Sequence, residues 1–431
     1  MSALEHPGLV FRSLDPLDGD EALLKGWYEA TRRGFHQSRG NDDGIEVWRD
    51  HTRSDSVTLL GAWAESSEFS SATIPVATFS SWTSPVNVGG GASLPTLLIS
   101  DVTVSPTHRR QGLLRKLMTV SLADAVAAGV PLAALPVSEG SIYGRFGFGT
   151  ATHLRQVEVD VTAKFRYRPE VPEDDGSVTL VEPADAWKTV AEIYGTFQER
   201  TRGSVTRPQF YEPWLSSAYD FGGDSKGESK QRAVLHLDAS GTPDGYAIYK
   251  TADERNDAGL RMARVVDLVA LTPAAYLRLW RFLADIDLVE RVGWHRAPVH
   301  DPLYWALAEP FAVKSAELDD MLWMRVLDVP ASLQARPWYA TGEVVLGVDD
   351  PLGHAAGAWR VAVRDGVAEV TPADAAPTVE LSADTLGALY LGGVDVRTLA
   401  AAGRITGSPE AIETWAAMAD GGPLPYCITG F

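Results

Sequence analysis

The apolar and polar positions of this chain change period several times, and those changes divide it into three stretches. In the first, Leu9 to Arg12, Val57 to Ala64, Ile74 to Trp82, Leu97 to Val104, Leu132 to Val137 and Thr152 to Val161 alternate or run apolar over strand lengths. Asp18 to Gly34 instead places Leu23, Leu24, Trp27 and Tyr28 on one helical side. A second helix is predicted from about Arg109 to Ala128, closed by Gly129 before Pro131, and Ser66 to Ser71 reads as a turn. The pattern is mixed α/β.

Tyr167-Arg-Pro-Glu-Val-Pro-Glu-Asp-Asp-Gly176 gathers prolines, acids and a glycine, and marks a linker. Beyond it the pattern restarts, with strand Val178 to Val181, helix Ala184 to Arg200, and strands Ala233 to Leu237 and Gly245 to Lys250. Phe221 to Lys230 is loop by composition. The restart contains a repeat. Asp101-Val-Thr-Val-Ser-Pro106 and Asp267-Leu-Val-Ala-Leu-Thr-Pro273 are both strand-then-proline entries to a helix, with one residue inserted in the second. Arg109, Arg110 and Gly112 follow the first proline, whereas Ala274-Ala-Tyr-Leu-Arg-Leu-Trp280 follows the second. A duplication that kept its charged residues in one half is predicted.

After Pro310, the segments Glu343 to Val348, Ala358 to Arg364, Ala368 to Thr371 and Thr378 to Leu381 read as an antiparallel sheet with a turn at Asp365-Gly366. Helical stretches follow at Ala383 to Tyr390, Asp395 to Ala402 and Pro409 to Ala419. The expected domains are 1–165, 172–305 and 311–431. A chain of 431 residues exceeds one ordinary core, which agrees with this division.

Composition narrows the function. Apolar residues at 45% and charged residues at 22% are those of a soluble globular chain, and no apolar run approaches the ~20 residues that span a bilayer. The first residues lack the build of a signal peptide, and the single Cys427 excludes an internal disulfide framework, so the cytoplasm is the expected compartment. A net charge of −19 argues against a nucleic-acid partner and suits a cationic substrate. The nine histidines show no metal-ligand spacing, and no metal is expected.

Candidate chemistry lies at the end of the Leu97–Val104 strand. Val102, Thr103 and Val104 can offer edge N–H and C=O groups to the amide-rich arm of coenzyme A. Arg109, Arg110, Gln111, Gly112, Leu113, Leu114 and Arg115 stand where strand hands over to helix. Backbone N–H groups and the helix dipole favour an anion there, glycine permits close approach, and arginines neutralise a pyrophosphate. Ser138 and Glu139 open a glycine-rich turn that carries Tyr143, a phenol placed to protonate a departing thiolate.

The Arg109-Arg-Gln-Gly112 motif is the signature of GCN5-related N-acetyltransferases. Together with Ser138 to Gly149, the degenerate second copy and the aromatic terminus, the chain resembles the Eis (enhanced intracellular survival) family over nearly its whole length. The resemblance implies an α/β (α+β) fold class: two tandem acetyltransferase folds, only the first catalytic, and then a domain similar to sterol carrier proteins. It implies acetyl-CoA as co-substrate, acetylation of aminoglycoside amines at one or several positions, and a homohexamer. It also implies Tyr143 as general acid and the Phe431 carboxylate as general base, although Gly430 stands where relatives often carry an acid. Polyamines and protein lysines stay open as acceptors, as does a non-catalytic acyl-CoA or lipid-binding role. Phe35, Asp42, Asp43 and Trp48 are candidates for the acceptor pocket.

Overall fold

Two seven-stranded mixed sheets and one five-stranded sheet organise the chain, in a computed structural model that describes residues 6–17, 19–65, 72–137, 139–221, 225–226, 230–251 and 254–431. The turn expected at Ser66 to Ser71, much of the loop Phe221 to Lys230, and Ser138 lie outside the described residues.

The first sheet begins with β1 (Leu9–Leu14), β2 (Thr58–Ala64), β3 (Ala77–Gly89) and β4 (Ala92–Val104), joined as antiparallel neighbours. Two helices, α1 (Glu21–Gly34) and α2 (Asp42–Ser54), connect β1 to β2. Asp20 caps α1 and Asn41 caps α2, each accepting backbone N–H groups that the first turn leaves unpaired. After β4, helix α3 (Leu113–Ala127) returns the chain to β5 (Leu132–Leu135), which lies parallel to β4.

The strand beyond β5 does not come from the next stretch of chain. Trp323–Val326 pairs antiparallel with β5, and Gly149–Thr150 pairs with it from the outer side. His153–Asp160, which follows Thr150 directly in sequence, lies in the second sheet between Arg291–Ala297 and Val313–Asp320. The second sheet therefore repeats the first strand by strand. Its order is Ser177–Val181, Gln231–Leu237, Pro243–Lys250, Met262–Ala270, Arg291–Ala297, His153–Asp160, Val313–Asp320. Its parallel pair, Met262–Ala270 with Arg291–Ala297, occupies the place of β4 and β5. Each half thus lends the other a strand. Alternating apolar positions cannot reveal this, because either sheet would bury the same faces.

The third sheet runs Val367–Pro372, Gly357–Arg364, Gly342–Asp349, Val379–Ser382, Ile405–Gly407. The hairpin turn expected at Asp365-Gly366 has both residues left-handed, φ 51° and 79°, as a two-residue turn between twisted strands requires. Helices Ala383–Tyr390 and Pro409–Ala419 cover this sheet through Leu386, Leu389, Trp415 and Met418. The same apolar cluster continues into Leu98, Leu132 and Met324 of the first sheet, so the two share one core. The Phe221–Lys230 segment is not wholly loop: Ser225–Lys226 pairs with Tyr219–Asp220.

Candidate active site

A cavity of about 1150 Å³ opens where β4 and β5 part. Their pairing covers only Thr96–Leu98 against Leu132–Ala134, yet β4 continues to Val104. Beyond that point, this side of β4 has no neighbouring strand among the described residues and presents free backbone groups. A bulge helps to turn the strand away. Thr78 faces Thr103 and Ser80 faces Ser100, so Asp101 and Val102 together oppose Phe79 alone. Asp101 is left-handed there, with φ 52°. Val102, Thr103 and Val104 line the cavity.

The opposite wall is the entry to α3, which begins at Leu113 rather than at the expected Arg109. Pro106–His108 form a single 3₁₀ turn, and Gly112, with φ 79°, is a cap with no side chain to offer. The first N–H taken inside the helix is that of Lys116, by the Gly112 carbonyl at 3.0 Å. The Leu113, Leu114 and Arg115 N–H groups have no acceptor among the described residues, and they open on the cavity with Arg109, Arg110 and Gly112. A Cβ at position 112 would project into open space, which leaves room for a bulky anion against the backbone. Gln111 does not line the cavity.

The second half shows the same strand-to-helix entry closed. Thr272 caps helix Pro273–Ala284, its hydroxyl accepting the Ala275 N–H at 3.1 Å. Of the three positions open beside Gly112, two are closed there: Pro273 has no N–H, and that of Ala275 is taken by the cap.

Tyr143 ends the short helix Gly140–Tyr143 and lines the first cavity with Glu139. Its ring lies edge-on to Phe148 at 6.5 Å. Burial, and then the nearby Glu139 charge, hold its phenol above the usual tyrosine range, so it stays a protonated donor. No described group accepts its hydroxyl.

The terminal segment is packed, not frayed. Tyr426 N–H reaches the Arg202 carbonyl at 2.8 Å, Gly430 N–H reaches the Tyr211 hydroxyl at 2.9 Å, and Cys427 to Thr429 are buried. Phe431 stands edge-on to Trp82 of β3 at 5.5 Å and 82°. It is absent from the lining of the first cavity, so Tyr143 and Phe431 are not brought to one wall. Burial pushes the Cys427 thiol up to about 11, which makes it an inert packing residue.

A second cavity, about 400 Å³, adjoins the first and shares Phe35 with it. Tyr28, Arg32, Trp48, His51 and Asp101 face it. Of the pocket candidates read from sequence, Phe35 and Trp48 are there. Asp42 and Asp43 are not, and Asp43 pairs with Lys226 at 3.4 Å. Neither Asp101 nor His51 stands in a motif that marks it as a site residue; the recurrence of an aspartate at Asp267 is a signal for the first.

A strand parting from its parallel neighbour above an uncapped, glycine-led helix defines a GCN5-related acetyltransferase domain, here present twice with one copy closed. Family profiles described as Acetyltransferase (GNAT) domain match residues 18–151 and 203–326, and one described as Sterol carrier protein domain matches residues 329–428. An uncharacterized N-acetyltransferase of Streptomyces griseus is 37% identical over 82% of this chain and 86% of its own. The N-acetyltransferase Eis of Mycobacterium tuberculosis is 38% identical over 74% of this chain and 76% of its own. The crystal structure of Eis1 from Mycobacterium abscessus superposes with a TM-score of 0.80 at 29% identity, covering 98% of this chain and all of that one. The chain belongs to the Eis family of GCN5-related N-acetyltransferases. It is an enzyme whose acyl donor is acetyl-CoA and whose acceptor carries an amine.

Proposed function

We propose that the protein transfers acetyl from acetyl-CoA to a primary amine of a small cationic molecule, such as an aminoglycoside, at one or several positions. One observation carries this reading: the free edge of Val102–Val104, the open N–H groups of Leu113–Arg115 and the protonated Tyr143 share one cavity. The β4 edge orients the pantetheine arm and polarises the thioester carbonyl. Arg109, Arg110 and Arg115 neutralise the pyrophosphate beside Gly112, with Glu139 on the same cavity.

The amine nitrogen bonds to the carbonyl carbon, the carbon–sulfur bond breaks, and the Tyr143 hydroxyl gives its proton to the thiolate. The Phe431 carboxylate takes the amine proton, directly or through a water, which the packing of the tail against Trp82 supports by fixing the terminus. Holding both reactants together supplies much of the rate. The reading extends to a cytoplasmic protein that forms a homohexamer; light scattering on the purified protein checks the hexamer, and cell fractionation the compartment.

Thiol release from acetyl-CoA, measured with kanamycin and with a diamine, tests the function. Release that appears only with a peptide lysine acceptor would overturn the small-molecule assignment.

A further inference from the structure

The two halves place an aspartate at the same point of the same strand. Thr103 faces Thr78 across β4 and β3, and Val269 faces Tyr246 across the matching strands of the second sheet. Two residues earlier stand Asp101, within a bulge, and Asp267, next to one. Counted from Thr103 and Val269, the two aspartates hold the same strand position, although Asp101 is left-handed within its bulge and Asp267 pairs with Ile248.

Their surroundings differ in one component. Asp267 is neutralised by Arg207, whose Nη2 donates to both carboxylate oxygens at 2.8 and 2.7 Å, and by the Tyr246 hydroxyl at 2.7 Å. The Arg207 guanidinium lies over the rings of Tyr194 at 3.8 Å and Tyr211 at 4.6 Å, fully within the protein. The second half therefore holds a cation on its aspartate between aromatic walls. Among the described residues the Asp101 carboxylate accepts only the Ser80 hydroxyl, at 2.8 Å on Oδ2, and no cation pairs with it. Its aromatic surroundings are present, with Tyr28 and Trp48 lining the second cavity, but no described residue fills the place of Arg207. Arg32, on the same cavity, does not reach across. Its guanidinium donates, among its bonds, to the Ser38 carbonyl at 2.6 Å, the Ser38 hydroxyl at 3.2 Å and the Tyr28 hydroxyl at 3.1 Å.

We propose that Asp101 binds an ammonium group of the acceptor in this second cavity, in the position that Arg207 fills internally in the other half. Val102, the next residue, lines the donor cavity, so a cation on Asp101 stands one residue from the thioester site. The acceptor class follows from this. One amino group is held as a cation against Asp101, and a second, a few bonds away, reaches the acetyl carbonyl. The substrates are compact diamines and amino sugars with neighbouring amines. Asp101 is a positioning and specificity residue and takes no part in bond making. The inference rests on a small amine being the acceptor.

A matched pair of acceptors tests it: 1,4-diaminobutane and n-butylamine, with kanamycin alongside. Asn tolerates left-handed φ and keeps a carbonyl for Ser80, so Asp101→Asn preserves the bulge. The wild-type enzyme is expected to prefer the diamine in kcat/KM. Asp101→Asn is expected to reduce that preference about tenfold or more, and to raise KM for kanamycin by a similar factor, as loss of a charged hydrogen bond does. An unchanged diamine preference and kanamycin KM, or equal losses with both short amines, would overturn the role of Asp101 alone. A wild-type enzyme that releases no thiol with any of the three would overturn it together with the small-amine function.

Discussion

Arg325 and Asp350 form an ion pair at 2.5 Å in which neither side chain is exposed. Arg325 belongs to the strand that closes the first sheet beside β5, and Asp350 follows the strand Gly342–Asp349 of the third domain. Asp350 also accepts the Leu352 and Ala355 N–H groups at 3.0 and 2.8 Å, so its carboxylate is well satisfied. The guanidinium underlies Gly147, where an added Cβ would lie 2.1 Å from Nη1. The pair therefore supports the turn that follows Tyr143. Asp350→Ala leaves a buried cation alone and is expected to cost about 3–5 kcal/mol of stability. Thermal and denaturant unfolding of the variant measure this, and a loss below about 1 kcal/mol would show the pair to be replaceable.

Tyr143→Phe keeps the ring contact with Phe148 and removes only the proton donor. Turnover is expected to fall by about 10²–10⁴ while acetyl-CoA binding stays within a few-fold. One residue appended after Phe431 moves the carboxylate away from its packed position and is expected to reduce turnover with the same pattern. Full turnover in both variants would remove Tyr143 and Phe431 from the mechanism.

Burial first, and Glu139 second, keep the Tyr143 phenol above its ordinary value of 10.0. The alkaline fall in kcat caused by losing this acid is therefore expected above pH 10. Glu139→Gln removes the contribution of its charge and should move that fall toward lower pH. A pH–rate profile that does not move would mean another group sets the limb.

His51, on α2 and lining the second cavity, is lowered by burial to about 4. The folded state thus binds this proton less readily than the unfolded chain, whose histidine titrates near 6.5. Its contribution to stability is complete above pH 6.5, falls as pH drops toward 4, and falls no further below that. The total is on the order of 3 kcal/mol, an upper figure for a side chain not wholly sealed from solvent. Unfolding curves between pH 7 and 4 should show a steeper loss for the wild type than for His51→Gln.

Gly112→Ala adds a methyl group where nothing lies within 4 Å, at φ 79°. Backbone strain of about 1–3 kcal/mol is expected in the free protein. The larger effect should be a rise in KM for acetyl-CoA, because the methyl projects where the pyrophosphate is expected to approach. An unchanged KM would place the anion elsewhere.

Much of this site was legible in the sequence because its signals are local. Proline, arginines, glycine and an apolar helical run within a dozen residues of Val104 specify a strand, an open helix end and their order. Asp365-Gly366 likewise announces a hairpin by its own conformational needs. The start of α3 was misplaced because Arg109 to Gln111 have helical propensity, yet the left-handed Arg110 and Gly112 stop the helix from beginning before Leu113. The exchange of His153–Asp160 for Trp323–Val326 was illegible, since strand partners are chosen by contacts far apart in sequence. Asp101 carried a weak local signal, an aspartate inside a strand. Its meaning emerged only beside Arg207 and Asp267, which no short window contains.

The strand exchange also sets an order of events during synthesis. A chain that has grown only through Tyr143 and Gly149 leaves β5 with an open edge, because the strand that closes it lies at Trp323–Val326. The half that carries the donor cavity must wait, incomplete, while the entire second half is made. The terminal segment that packs against Trp82 arrives later still. Chains stalled before Trp323 therefore contain every residue of the Arg109–Gly112 motif without a finished sheet to hold it.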